Sequence, residues 1–246
     1  MKIVISKTHE ESSKKAAVKI LRQVIEKSNS VLGFATGSSP VVIYENLIKF
    51  YKENILSFKD VTAFNLDEYI GIEKSHPNSY YYFMRDNLFN HIDIKEENCH
   101  IENGLASDMN KECDLYESLI EEKGGIDLQI LGIGANGHIG FNEPSDKISP
   151  MTHVVELTQS TIEANSKYFS DIKMPTKAVT MGIATIMKSK KIILIASGEA
   201  KAKAIFDTVH GEITPEVPSS ILRLHPDVTI SVSYTHLRAH ETVLDL

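Results

Sequence analysis

The stretch I-D-L-Q-I-L-G-I-G-A-N-G-H-I-G-F-N-E-P, residues 126–144, is an apolar run that breaks into a glycine-rich loop. Ile126–Leu131 reads as a buried β-strand of the kind found in parallel sheets covered by helices on both faces. Ligands of such sheets bind beyond the carboxyl ends of the strands, where this loop lies. Glycines at 132, 134, 137 and 140 let the backbone approach a ligand closely. Asn136, His138 and Glu143 bring an amide, an imidazole and a carboxylate within eight residues. A loop that only turns the chain has little use for all three.

Outward from this strand, strand and helix patterns alternate. Strands are expected at Lys2–Ser6, Val31–Ala35, Val61–Leu66, Lys191–Ala196 and Val228–Val232. Helices are expected at Glu10–Glu26, Pro40–Tyr51, Asn78–Phe89, Ser107–Glu122, Ser160–Tyr168 and Ala200–His210. This order predicts a Rossmann-like, three-layer α/β/α fold with a mostly parallel central sheet. No repeat, low-complexity tract or linker divides residues 1–231, which are expected to form one domain.

Three further strand ends carry candidate chemistry. Thr36-Gly37-Ser38-Ser39-Pro40 follows the second strand; Ser39 as N-cap and Pro40 at the first helical position would start a helix there. Its free amides and hydroxyls suit a phosphate, although an ordinary capped turn would look the same. Asp67 and Glu68 follow the third strand, and desolvation there would turn a carboxylate into a base. Either acid could instead lie on the surface or cap a neighbouring helix. Lys201, in S-G-E-A-K at 197–201, would reach the same phosphate or sit solvated on the surface.

Composition narrows the chemistry. A net charge of −7 argues against nucleic acid and anionic membranes as partners, yet a phosphorylated small molecule can be held by amides and a local cation. No apolar run approaches the ~20 residues of a membrane span. Cys99 and Cys113 match no metal spacing and read as reduced thiols of a cytoplasmic protein. The ten histidines show no ligand spacing and no G-x-S-x-G elbow occurs, so neither metal-assisted hydrolysis nor serine acyl transfer is expected. G132-x-G134-x-x-G137 matches the dinucleotide fingerprint, with Glu156 at about the right distance, but Phe141–Pro144 would interrupt the helix that fingerprint requires.

Together, A-T-G-S-S-P at 35–40, F-N-L-D-E-Y at 64–69 and G-H-I-G-F-N-E-P at 137–144 resemble the glucosamine-6-phosphate deaminase family, shorter bacterial type. S-Y-Y-Y-F-M at 79–84, E-A-N-S-K-Y-F at 163–169 and S-G-E-A-K-A at 197–202 extend the resemblance, which runs from Met1 to about Ile230. It implies conversion of glucosamine 6-phosphate and water to fructose 6-phosphate and ammonia without a cofactor or metal. It further implies that His138 opens the sugar ring, with Asn136 and Glu143 holding it, and that Asp67 is the enolising base. Thr36, Gly37, Ser38, Ser39, Lys167 and Lys201 would hold the phosphate.

The chain departs from the family pattern in places. Asn136 stands where many members carry Asp, and Lys167 where others carry Arg. Some members are hexamers activated through a basic cluster after the F-N-E-P loop; here M-T-H-V-V-E at 151–156 has no Lys or Arg, so no such activation is expected, and monomer and homo-oligomer both stay open. Residues 232–246, V-S-Y-T-H-L-R-A-H-E-T-V-L-D-L, match nothing in the family and read as an atypical, possibly non-native tail. Residues 149–182 are expected to form a flap over the site. A 6-phosphogluconolactonase-like hydrolase shares the phosphate turn and a similar loop, but not N-L-D-E-Y. A non-catalytic sugar-phosphate sensor would need an appended binding segment, and no basic patch suggests one.

Overall fold

A computed structural model describes residues 1–169 and 172–233. Ten strands and seven α-helices follow in chain order: β1 Lys2–Ser6, α1 His9–Glu26, β2 Val31–Phe34, α2 Ser38–Lys52, β3 Thr62–Asn65, β4 Asp67–Tyr69, α3 Tyr80–Asn87, β5 Cys99–His100, α4 Met109–Glu122, β6 Leu128–Leu131, β7 His153–Glu156, α5 Gln159–Ser166, β8 Lys177–Thr180, α6 Ile183–Met187, β9 Ile192–Ala196, α7 Ala202–His210 and β10 Val228–Ser233. Short 3-10 turns link several of them.

Seven strands form one parallel sheet in the order β1-β10-β9-β6-β2-β3-β5. Their side chains alternate between two cores, as the two-residue period of a strand demands. Ile192 and Leu194 of β9 join Tyr116 and Ile120 of α4, Ile183 of α6 and Ile205 of α7 on one face. Ile193 and Ile195 join Ala17 and Ile20 of α1, Ile43 and Leu47 of α2 and Met84 of α3 on the other. The three-layer α/β/α architecture expected from the alternation is therefore the one observed.

A second sheet was not anticipated. β4, β8 and β7 pair antiparallel, with Asp67 opposite Thr180 and Thr180 opposite His153. Only Leu66 separates β3 from β4, so the chain leaves the parallel sheet and enters the small one almost at once. The small sheet packs on Tyr69, Phe141, Leu157, Met174 and Ala178. The segment read as a flap, 149–182, thus contains two strands, α5 and the start of this packing.

Two local expectations are corrected. α2 begins at Ser38, capped by Gly37 with φ 91° and no side-chain bond, so Ser39 is not the N-cap and Pro40 is the third helical residue. Glycine is required there because that backbone conformation strains other residues. Val232 and Ser233, assigned to the tail, complete β10 and pair with Ile5 and Ser6. The rest of the tail, 234–246, lies outside the described residues.

Candidate active site

The carboxyl ends of β2, β3, β6 and β9 converge on one cavity of about 820 Å³. The β2 end contributes the Thr36–Ser39 turn, β3 leads through Leu66 to Asp67, β6 opens into the glycine-rich loop, and Lys201 follows β9. Placing these four segments together is what a parallel sheet does to its strand ends. The wall facing the small sheet is aromatic: Tyr69 and Tyr80 lie 4.8 Å apart between centroids, and Phe141 stacks on Tyr80 at 6.1 Å. The Tyr80 hydroxyl bonds that of Tyr69 at 3.3 Å and also meets Thr36, joining the phosphate turn to the strand that carries Asp67.

The loop after β6 does not start a helix. It folds back through an isolated bridge between Ile139 and Asn142, and the next helix is α5, so the dinucleotide fingerprint is not structurally realised. Its glycines serve close approach. A β-carbon at Gly134 would fall 2.3 Å from the His138 ring, and Gly140, at φ 58°, lies against the Asp67 carboxylate. Asn142, buried, donates to the carbonyls of Ile139 and Met181, both at 2.9 Å, and pins the loop to the strand end beyond β8.

Glu143 gathers three side-chain partners. Its Oε2 lies 3.2 Å from His138 Nδ1 and accepts from Asn136 Nδ2 at 2.7 Å, while Oε1 accepts from Thr161 at 2.8 Å. Burial alone would raise its pKa, but the bond to His138, that ring's charge and the Asn136 and Thr161 donors outweigh it and hold the carboxyl at about 2. The imidazole therefore faces a permanently ionised partner.

Asp67 has the opposite surroundings. It is 6% exposed, and burial, with a smaller push from the Glu68 charge, raises its pKa to about 8. No hydrogen bond among the described residues offsets this. Glu68 takes the blander role that the sequence left open for either acid. Adjacent strand residues face opposite ways, and Glu68 turns from the cavity to accept from the N–H groups of Tyr69, Tyr80 and Tyr81 at 2.8, 3.0 and 2.9 Å, capping α3. Burial raises its pKa despite these donors.

Of the expected phosphate ligands, Thr36, Gly37, Ser38, Ser39 and Lys201 line the cavity. Burial lowers the Lys201 pKa, a penalty that an arriving phosphate would offset. Lys167 is not brought to the wall; its ammonium lies 5.0 Å from the centre of the Tyr168 ring, which is on the wall. Thr161 and Tyr80 had no individual signal in the sequence. Thr161 reads locally as part of a helix start, and its contact with Glu143 spans 18 residues. A buried acid also escaped notice: Glu102 is 1% exposed, neither carboxyl oxygen has a partner among the described residues, and burial holds its pKa well above the carboxylate range.

Residues 7–230 match the family of glucosamine-6-phosphate isomerases and 6-phosphogluconolactonases. The chain belongs to this family. Within it, a glucosamine-6-phosphate deaminase of Thermoanaerobacter pseudethanolicus is 56% identical over 233 residues, 94% of this chain and 92% of the relative. The deaminase of Clostridioides difficile is also 56% identical, covering 94% of both chains. A solved structure of a monomeric glucosamine-6-phosphate deaminase superposes with a TM-score of 0.94 at 44% identity, covering 98% of this chain and all of the other. The 6-phosphogluconolactonase of Trypanosoma brucei reaches a TM-score of 0.75 at 19% identity over 96% and 97% of the two chains, a likeness of fold alone. Among the described residues, no helix is long and apolar enough to cross a membrane.

Proposed function

We propose that the chain is a glucosamine-6-phosphate deaminase, converting glucosamine 6-phosphate and water to fructose 6-phosphate and ammonia. Identity above 50% to deaminases along nearly the whole chain supports the activity. The observation that carries the mechanism is a pair of carboxylates with opposed surroundings: Asp67 lines the cavity with no donor among the described residues, and Glu143 bonds His138, Asn136 and Thr161, which line the same cavity.

The phosphate binds at the Thr36–Ser39 turn and Lys201, and this anchor positions the sugar's reacting end. His138 takes the proton from O1 and returns it to O5 as the C1–O5 bond breaks, and Glu143 stabilises the imidazolium formed between the two transfers. Asp67, ionised, removes the C2 proton and returns it at C1, while a proton passes from the C2 ammonium of the substrate to O1, which becomes the C1 hydroxyl. The resulting C2 iminium adds water and expels ammonia, leaving the C2 ketone. A base whose pKa lies near working pH suits this carbon acid chemistry, because it is both available and strong enough. Lys167 would join the phosphate site only by leaving its place over Tyr168.

Ammonia release from glucosamine 6-phosphate tests this reading directly. Turnover by the wild type and its loss in Asp67→Asn are expected; a folded wild type that releases no ammonia overturns it.

A further inference from the structure

The two oxygens of Glu143 are served from different parts of the molecule. Oε2 meets His138 and Asn136, which lie in the same loop as Glu143 and move with it. Oε1 meets Thr161, which belongs to α5 in the segment between β7 and β8, an outer strand and the central strand of the small sheet. Thr161 is 8% exposed, and its hydroxyl accepts a hydrogen bond from the Thr158 hydroxyl at 3.0 Å. With its lone pair so engaged, its single proton is directed to Glu143. The same segment places Asn165, Tyr168 and Phe169 on the cavity wall, and Phe169 meets Tyr69 edge-on at 5.6 Å, beside the strand of Asp67.

We infer that Thr161 is a positioning residue for the ring-opening pair: it fixes the Glu143 carboxylate and thereby makes the competence of His138 depend on the seating of α5. The inference rests on the deaminase reading of the site. A hydrogen bond from a neutral donor to a buried carboxylate favours the ionised form, and its removal leaves one oxygen without a partner. Glu143 would then be free to rotate away from Nδ1, and the imidazole would lose its orientation. Substrate that packs against the α5 wall would strengthen the contact, so binding at one end of the cavity would set the acid–base pair at the other.

The test is a set of three substitutions with steady-state ammonia release as the readout. Thr161→Val keeps the shape and removes the hydroxyl; kcat should fall about ten- to hundredfold, with KM within about twofold because the phosphate anchor is elsewhere. Thr161→Ser keeps the hydroxyl and should retain at least about a third of kcat. Thr161→Ala should resemble Val. A packing role would produce the reverse order, with Val near wild type and Ser and Ala both impaired, and would overturn the inference. Thr161→Val placed in a Glu143→Gln background should add less than about twofold, since the hydroxyl acts through that carboxylate; fully multiplicative losses would also overturn it. Thermal melts identify any variant that fails to fold, and the Ser variant then decides the matter alone. Absence of ammonia from the wild type would refute the deaminase reading, whereas an active wild type with an unimpaired Val variant would refute only the role of Thr161.

Discussion

Asp67 lines the cavity and Glu143 is joined to it through His138, Asn136 and Thr161, yet the two carboxylates have opposite surroundings. Asp67 sits at the start of an antiparallel strand, stripped of water, with no donor and with Glu68 beside it, and is pushed up to about 8. Glu143 sits in a loop among three hydrogen-bonding side chains and is held at about 2. The two are alike in chemical type and differ in hydrogen-bond donors and in the nearby charge, the Glu68 carboxylate beside one and the His138 ring beside the other. The lesson is that the small sheet does the stripping and the glycine loop does the furnishing.

Removal of the Asp67 carboxylate should have the largest effect. Asp67→Asn should lower kcat about 10²–10⁴-fold, measured as ammonia release. A loss under tenfold would leave the buried acid without a role in turnover. Glu143→Gln should cost about 10²-fold, because an amide can orient His138 but cannot offset an imidazolium. If both variants lost equally little, the contrast would have no catalytic meaning.

The pH dependence sharpens the contrast further. Asp67 must lose its proton to act, so kcat/KM should rise about tenfold per pH unit below about 8 and level above it. Glu143, ionised far below that range, should leave no second step between pH 5 and 8. The stability sign follows from the same shift. Below about pH 4 the folded and unfolded chains both hold the Asp67 proton. From there to about 8 only the unfolded chain releases it, so Asp67 costs stability increasingly as pH rises. Denaturant melts should show Asp67→Asn more stable than wild type at pH 7, by on the order of 3 kcal/mol, with the gap closing near pH 4.

The smallest effect concerns Glu102, a buried acid outside the proposed mechanism. Its carboxyl oxygens have no partner among the described residues, so Glu102→Leu should stabilise the fold by about 1–3 kcal/mol and change kcat less than about threefold. A destabilised variant would mean that the carboxyl makes interactions that its surroundings do not reveal.

How far the sequence speaks depends on whether a segment's neighbours are in the segment. Leu128–Leu131 and I-I-L-I-A at 192–196 are buried on both faces, and their near-continuous apolar runs declare a parallel sheet. H-V-V-E at 153–156 and K-A-V-T at 177–180 are short, partly exposed and mixed in polarity, and only their pairing makes them strands. The glycines, His138 and Glu143 lie within one loop and could be read together. Asp67 and Glu68 could not be told apart from the residues alone, because the choice depends on where β4 turns its alternate faces; only the family resemblance singled out Asp67. Thr161 could not be read at all, since its partner reaches it only through the folding of the small sheet.

The pairing of β1 with β10 sets a constraint on biosynthesis. Lys2 lies opposite Thr229, so β1 finds its sheet neighbour 227 residues later (229 − 2). At roughly 5–20 residues per second, a ribosome takes about 10–45 s to cover that distance. For that interval K-I-V-I-S is an unpaired strand edge, exposed to other chains. The middle of the parallel sheet can be assembled earlier, but β1 gains its neighbour among the described residues only once β10 has been made. Lys2 and Ser233 lie at opposite ends of the parallel pair, so a linker that runs back along it, with the chain reopened at the turn of Gly124–Gly125, would give a permuted protein in which β1 follows β10 directly.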